Sequence, residues 1–334
     1  PTLTKTDSSA IPIKLQDPEY CDWFMLGFTS ERSDVTETAS YNALDRYKRP
    51  WLSSSGHQIV GGSTFPTVFE LAYDEGNKTL HASIRVKIIP VDLFKSDGRG
   101  VPLLGPDGKK QSVPFDHDAH WEGVGRGVGK LINGGFVMEF RESTGPRFEL
   151  PTKKRQVEAV LNAHGSKFIL DGCSKGTSCG CRVSIKFHVD FLLGLNDADV
   201  ADGKKVHKTI YLFPRAIRAD ARSWGEVNLL PQRDSYVDNP DDTNVVAHEC
   251  GHMFNFPDEY WEFGGWVHKM YIENSELNFA TGDMYKGKET WQMRSENNLM
   301  GYGANKIIKP GTNGGPTAMV SPHYLELSGG TLAS

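Results

Sequence analysis

No apolar run in the chain approaches the ~20 residues that a membrane-spanning helix requires. A dominant charge of one sign is also missing. Lys and Arg number 37 against 42 Asp and Glu, for a net charge of −5, and the basic residues are scattered. That leaves no basic footprint for a nucleic acid or an anionic membrane. The composition is not that of a disordered chain either: 38% hydrophobic and 24% charged residues suit a soluble globular protein. The 334 residues are enough for a sizeable core, as one large domain or two modest ones. The opening Pro1-Thr2-Leu3-Thr4 shows no secretory signal. A processed or trimmed product and the cargo of a route that reads no signal peptide both fit it.

Cysteine is scarce and odd in number: Cys21, Cys173, Cys179, Cys181 and Cys250. Three of them crowd into Cys-x5-Cys-x-Cys within a Gly/Ser/Lys-rich stretch. A local disulfide or free thiols are preferred there over a second metal site, because no matching Cys/His pair follows at finger-like spacing. Cys250 lies within the chemistry-bearing motif and is expected to stay reduced.

Residues 1–66 are polar and read as an irregular N-terminal segment, with Tyr20, Trp23, Phe24 and Phe28 as its core-forming material. Gly61-Gly62-Ser63 and Pro66 mark a boundary, and residues 67–334 are read as the catalytic domain. Within it, Leu80 to Val91 alternates polar and apolar residues as a half-buried strand does. Lys95 to Pro114 reads as a long loop or hairpin. A helix is expected over Asp118 to Ile132, although Gly123, Gly125, Gly127 and Gly129 weaken it. Gly129-Lys130 is no phosphate loop, since Val124 stands where its first glycine belongs and Leu131 replaces Ser or Thr. Further strands are expected over Phe136 to Phe140, Arg182 to Leu193 and His207 to Phe213. The pattern is a mixed α/β (α+β) one.

The chemistry is concentrated in His248-Glu249-Cys250-Gly251-His252. Pro240, Asp241 and Asp242 make a helix start, with acidic groups near the positive end of the dipole. On that helix the two histidines, four apart, project from one face and can share a tetrahedral ion. Glu249 is about 100° around from His248, placed to take a proton from an attacking water without ligating the metal. Val246, Cys250 and Met253 form an opposite apolar stripe. Two histidines plus one further ligand would leave a coordination position open, as a catalytic zinc requires.

The continuation His-Glu-Cys-Gly-His-Met-Phe-Asn-Phe-Pro-Asp-Glu-Tyr at 248–260 and the later Ser-Glu-Asn-Asn-Leu-Met-Gly-Tyr-Gly at 295–303 narrow the choice. Together they resemble zincin toxins delivered by bacterial contractile injection machines, above all the metallopeptidase domain fused to type VI secretion spike proteins. The motif is also similar to metzincins and snapalysin. The resemblance is strongest from about Val245 to Gly303, reaches back more weakly to about Leu80, and leaves out residues 1–66.

It implies a zincin-like fold, in which a twisted mixed sheet supports the motif helix, and a zinc-dependent metallopeptidase. It also implies secretion and delivery into a target cell, or into that cell's periplasm. A protein or peptide would be the substrate, and a secretion spike or an immunity protein the partner. For the third zinc ligand two carboxylates stay open. Asp258 stands six residues beyond His252, the metzincin position, and Glu296 matches the later glutamate of the spike-attached peptidases and is preferred. Met300 resembles the methionine that floors the metal site in metzincins, with core packing as its ordinary role. Tyr302 can stabilise an oxyanion through its hydroxyl or serve as a buried structural tyrosine. His117, His120 and His323 read as solvated or capping residues. Two other functions remain: a zinc amidase or endopeptidase acting on peptidoglycan, and a non-catalytic spike or adhesion module with a structural zinc.

Overall fold

The computed structural model describes residues 10–14, 32–37, 67–74, 77, 79–163, 167–171, 182–220, 222–233, 235–254, 256 and 299–300. The strands are β1 (Ala10–Lys14), β2 (Arg32–Glu37), β3 (Thr67–Asp74), β4 (Thr79–Lys95), β5 (Leu131–Ile132), β6 (Phe136–Phe140), β7 (Lys167–Asp171), β8 (Arg182–Leu193), β9 (Lys208–Ala216), β10 (Ser223–Gln232) and β11 (Ser235–Asp238). The helices are α1 (His117–Val124), α2 (Leu150–Leu161) and α3 (Thr243–Met253). The fold is mixed α and β, with a mixed sheet and few helices.

The chain forms two compact units. One gathers Pro1–Ile84, Glu158–His188 and Cys250–Ser334; the other gathers Arg85–Val157 and Val189–Glu249. In the first, β1 runs parallel to β7 and β7 antiparallel to β8, while β3 pairs antiparallel with both β2 and the start of β4. Two of these strands, β1 and β2, fall in the segment expected to be irregular. Strands of five and six residues are too short to carry much periodic signal, and here their partners lie elsewhere in the chain. In the second unit β4, β9 and β10 run parallel in that order, and β11 closes antiparallel on β10. The far half of β4 pairs antiparallel with β6.

β4 explains its own pattern. Up to Arg85 it alternates buried and half-buried positions, and from Val86 to Val91 every residue is buried. Ile89, Val91 and Leu93 pack with Phe115, Val124, Ile132, Met138 and Phe213 as the core of the second unit. Within that run Lys87 is 3% exposed, and its ammonium donates to the carbonyls of Asn196, Asp197 and Asp199 at 3.2, 2.9 and 2.6 Å.

The expected helix over 118–132 is shorter: α1 stops at Val124, and Leu131–Ile132 is a strand. Gly127 and Gly129 take φ values of 90° and 75°, which turn the chain out of the helix. Lys95 to Pro114 is a loop cross-braced by backbone bonds such as Lys95 N–H to Gln111 C=O at 2.9 Å. Helix α2 went unrecognised in the sequence, although Glu149 caps it by accepting from the Thr152 N–H at 3.0 Å. Its Val157, Val160 and Leu161 are buried at helical spacing.

Candidate metal centre

Helix α3 is anchored at its start by several independent contacts. Asn239 Oδ1 accepts from the Asp241 N–H and Asp241 Oδ1 from the Thr243 N–H, at 3.1 and 3.0 Å. The Arg147 guanidinium donates to the Asn239 and Pro240 carbonyls at 2.6 and 3.0 Å. Asp242 is 2% exposed; its Oδ1 lies 3.1 Å from Lys153 Nζ, and its Oδ2 accepts from N and Nδ2 of Asn228, each at 3.2 Å. The aspartates expected to serve the helix dipole thus act as a cap and as half of a buried ion pair. Together these contacts fix where the helix begins.

From that start the helix carries His248, Glu249 and His252 to one place. His248 is 2% and Glu249 7% exposed, and His252 is half-buried. One ligand-type atom from each lies within 4.8 Å of the others. His252 Nδ1 is 2.7 Å from the Phe256 carbonyl oxygen. A carbonyl can only accept, so Nδ1 carries the hydrogen and Nε2 keeps its lone pair, the tautomer a metal-binding imidazole needs. Two imidazoles so placed, with a carboxylate between them, are groups that could hold a metal ion.

The opposite face is apolar, as its sequence suggests: Val246, Cys250 and Met253 are all buried, and Cys250 is not disulfide-bonded. Just past the helix, Phe254 meets Phe69 and Phe187 edge-on at ring-centroid distances of 5.7 and 4.8 Å. Met300 is fully buried against Gly251, where a Cβ would stand 2.8 Å from its Sδ. The methionine thus lies directly against the motif helix, one residue from His252. Asp258, Glu296 and Tyr302 lie outside the described residues, as do Cys21, Cys173, Cys179, Cys181 and His323.

Of the two histidines near the start of α1, His120 is 4% exposed and accepts the Asp116 N–H on Nδ1 at 2.9 Å, a buried cap. Burial, opposed by the nearby Asp116, lowers its pKa. His117 faces Trp121, ring centroids 5.9 Å apart. Its charge and that of Glu249 both act on Asp220, a residue the sequence reading did not single out. Burial first, and then the negative charge of Glu249, push the Asp220 carboxyl up to about 6, against two backbone hydrogen bonds and His117. The one sequence signal for it is a turn-type Asp-Ala-Arg-Ser directly before the buried Trp224.

No family model, curated protein or solved structure matches the chain. No helix among the described residues is long and apolar enough to cross a membrane.

Proposed function

We propose that the chain is a zinc-dependent metallopeptidase with a zincin-like fold. The observation that carries the reading is the convergence of His248, Glu249 and His252 on one anchored helix, with the His252 Nδ1 bonded to a carbonyl. His248 and His252 would hold the ion through their imidazoles, with Glu296 or Asp258 as third ligand. Zinc, when bound, lowers the pKa of a coordinated water and polarises a carbonyl.

The remaining work belongs to the chain. Glu249 stands next to His248 on the same helix and is almost fully buried. It takes the proton of the attacking water and delivers it to the departing amine nitrogen, which leaves as the peptide C–N bond breaks. The resemblance of residues 248–260 and 295–303 to toxin peptidases supports a secreted effector that cleaves a protein or peptide in a target cell.

The test is a peptide-library cleavage assay with metal analysis. Wild type loaded with zinc should cleave. Glu249→Gln should bind zinc equally and lose turnover by ~100-fold or more, as expected for loss of a general base. His248→Ala and His252→Ala should lose the metal itself. Release of muropeptides without peptide cleavage would point to a peptidoglycan amidase. Zinc binding with neither activity would point to a structural site.

A further inference from the structure

One face of the sheet in the first unit carries a histidine pair that the motif helix does not use. His81 of β4 and His188 of β8 lie on neighbouring strands. Leu80 and Ala82 on either side of His81 are buried, as are Ile185 and Phe187 before His188, while both histidines are half-buried. Side chains alternate across a strand, so the two rings stand on the face away from that buried set. On the buried face Phe187 meets Phe254 and Phe256 at ring-centroid distances of 4.8 and 5.5 Å. The sheet thus separates the histidine pair from the chain that leaves the motif helix.

His81 Nδ1 and His188 Nε2 are 2.8 Å apart, with ring centroids at 5.0 Å. At that spacing one nitrogen holds a hydrogen and the other accepts it. Behind His188, Glu158 of α2 places Oε1 3.8 Å from the ring's Nδ1. The carboxylate favours a hydrogen on that Nδ1, which leaves the His188 lone pair on Nε2 and makes His81 Nδ1 the donor.

A metal ion can take the place of that shared hydrogen. With metal–nitrogen bonds of ~2.0–2.1 Å, two nitrogens at a right angle on one ion stand about 2.9 Å apart, and at a tetrahedral angle about 3.3 Å. The pair already has the right-angled spacing. What must change is the direction of the lone pairs, and the His188 side chain, 39% exposed, has room to turn until both meet on one ion. The His81 hydrogen then resides on Nε2 of the same ring, which stays neutral. Asp74 and Lys186 bring opposite charges to His81, so no field of one sign opposes a cation there.

We propose that His81 and His188 form a metal site separate from the motif helix. It takes a divalent cation that favours right-angled imidazole ligands, copper(II) or nickel(II), with Glu158 orienting His188 and water filling the other positions. Bound there, the ion ties β4 to β8 within the first unit. The site does not rest on the peptidase reading.

The test is a copper(II) titration of the full chain, loaded with one equivalent of zinc and carrying 15N-labelled histidine. The two rings are assigned by their absence from His81→Gln and His188→Gln. In wild type both ring signals should broaden together, with one midpoint. His81→Gln should raise the copper concentration that broadens His188 by about tenfold or more, because one of two protein ligands is gone. Glu158→Gln should raise it ~10-fold, as for loss of an orienting partner. Broadening of one ring without the other overturns the shared site, and so does a His188 midpoint that His81→Gln leaves unchanged. An effect of His81→Gln with none of Glu158→Gln overturns the role given to the carboxylate. If the chain neither holds zinc nor cleaves peptide, the peptidase reading fails, while these two assigned rings still decide the copper site.

Discussion

Asp242→Ala strands a buried ammonium, and the structure says how costly that is. Lys153 and Asp242 face each other at 3.1 Å with side chains 6% and 3% exposed, so water screens the pair little. Asp242 also receives both N–H groups of Asn228, at 3.2 Å each. Breaking a buried pair from one side costs about 3–5 kcal/mol, and the unsatisfied Asn228 donors add about 1 kcal/mol or more. Against a total stability of about 5–15 kcal/mol that is a large fraction. Lys153→Met should cost less, because Asp242 keeps its two Asn228 donors and Met fills the stem's volume against Phe148, whose ring centroid lies 5.4 Å from the ammonium. The double variant removes both charges, so its loss should fall short of the sum of the singles by about 2 kcal/mol or more. Hydrogen exchange at the α3 amides in metal-free protein measures this locally, without treating a chain of two compact units as a single two-state system. Singles that each cost under about 1 kcal/mol and simply add would refute the assignment of this pair as the anchor of the motif helix.

The third ligand can be settled by equilibrium dialysis against a zinc buffer. Glu296→Ala should lose zinc outright, whereas Asp258→Ala should keep it with ~10–100-fold weaker affinity, as for an outer partner; the reverse order would make the site metzincin-like. Gly251→Ala gains about 1 kcal/mol of helix propensity but drives a Cβ to 2.8 Å from Met300 Sδ, so thermal unfolding should show net destabilisation with weaker zinc binding; a stabilised variant would refute the Met300 contact. Asp220 has a folded pKa raised from 3.8 to about 6, so the folded state holds its proton longer than the unfolded one and the protein loses stability as pH rises from about 4 to 6. Asp220→Asn should lack that loss, and melting curves of metal-free protein between pH 4 and 7 should diverge in its favour; parallel curves would count against the raised pKa.

What the sequence determined by itself is local. The spacing of His248, Glu249 and His252 on a helix, the buried stripe of Val246, Cys250 and Met253, and the strands over Phe136–Phe140 and Arg182–Leu193 all follow from short-range periodicity. A residue's neighbours three or four positions away are set by helix geometry, so no distant partner is needed to read them. The tertiary structure decided what depends on partners remote in the chain. Ser223 to Leu229 of β10 is wholly buried although Ser223, Glu226 and Asn228 interrupt any apolar pattern. Glu226 accepts from Arg141 at 2.7 Å and from the Gly145 N–H at 2.9 Å, both more than eighty positions away. Met300 against Gly251 and Lys153 paired with Asp242 belong to the same class. A polar residue reads as surface until its buried partner is known, because burial costs free energy that only the partner's hydrogen bond offsets.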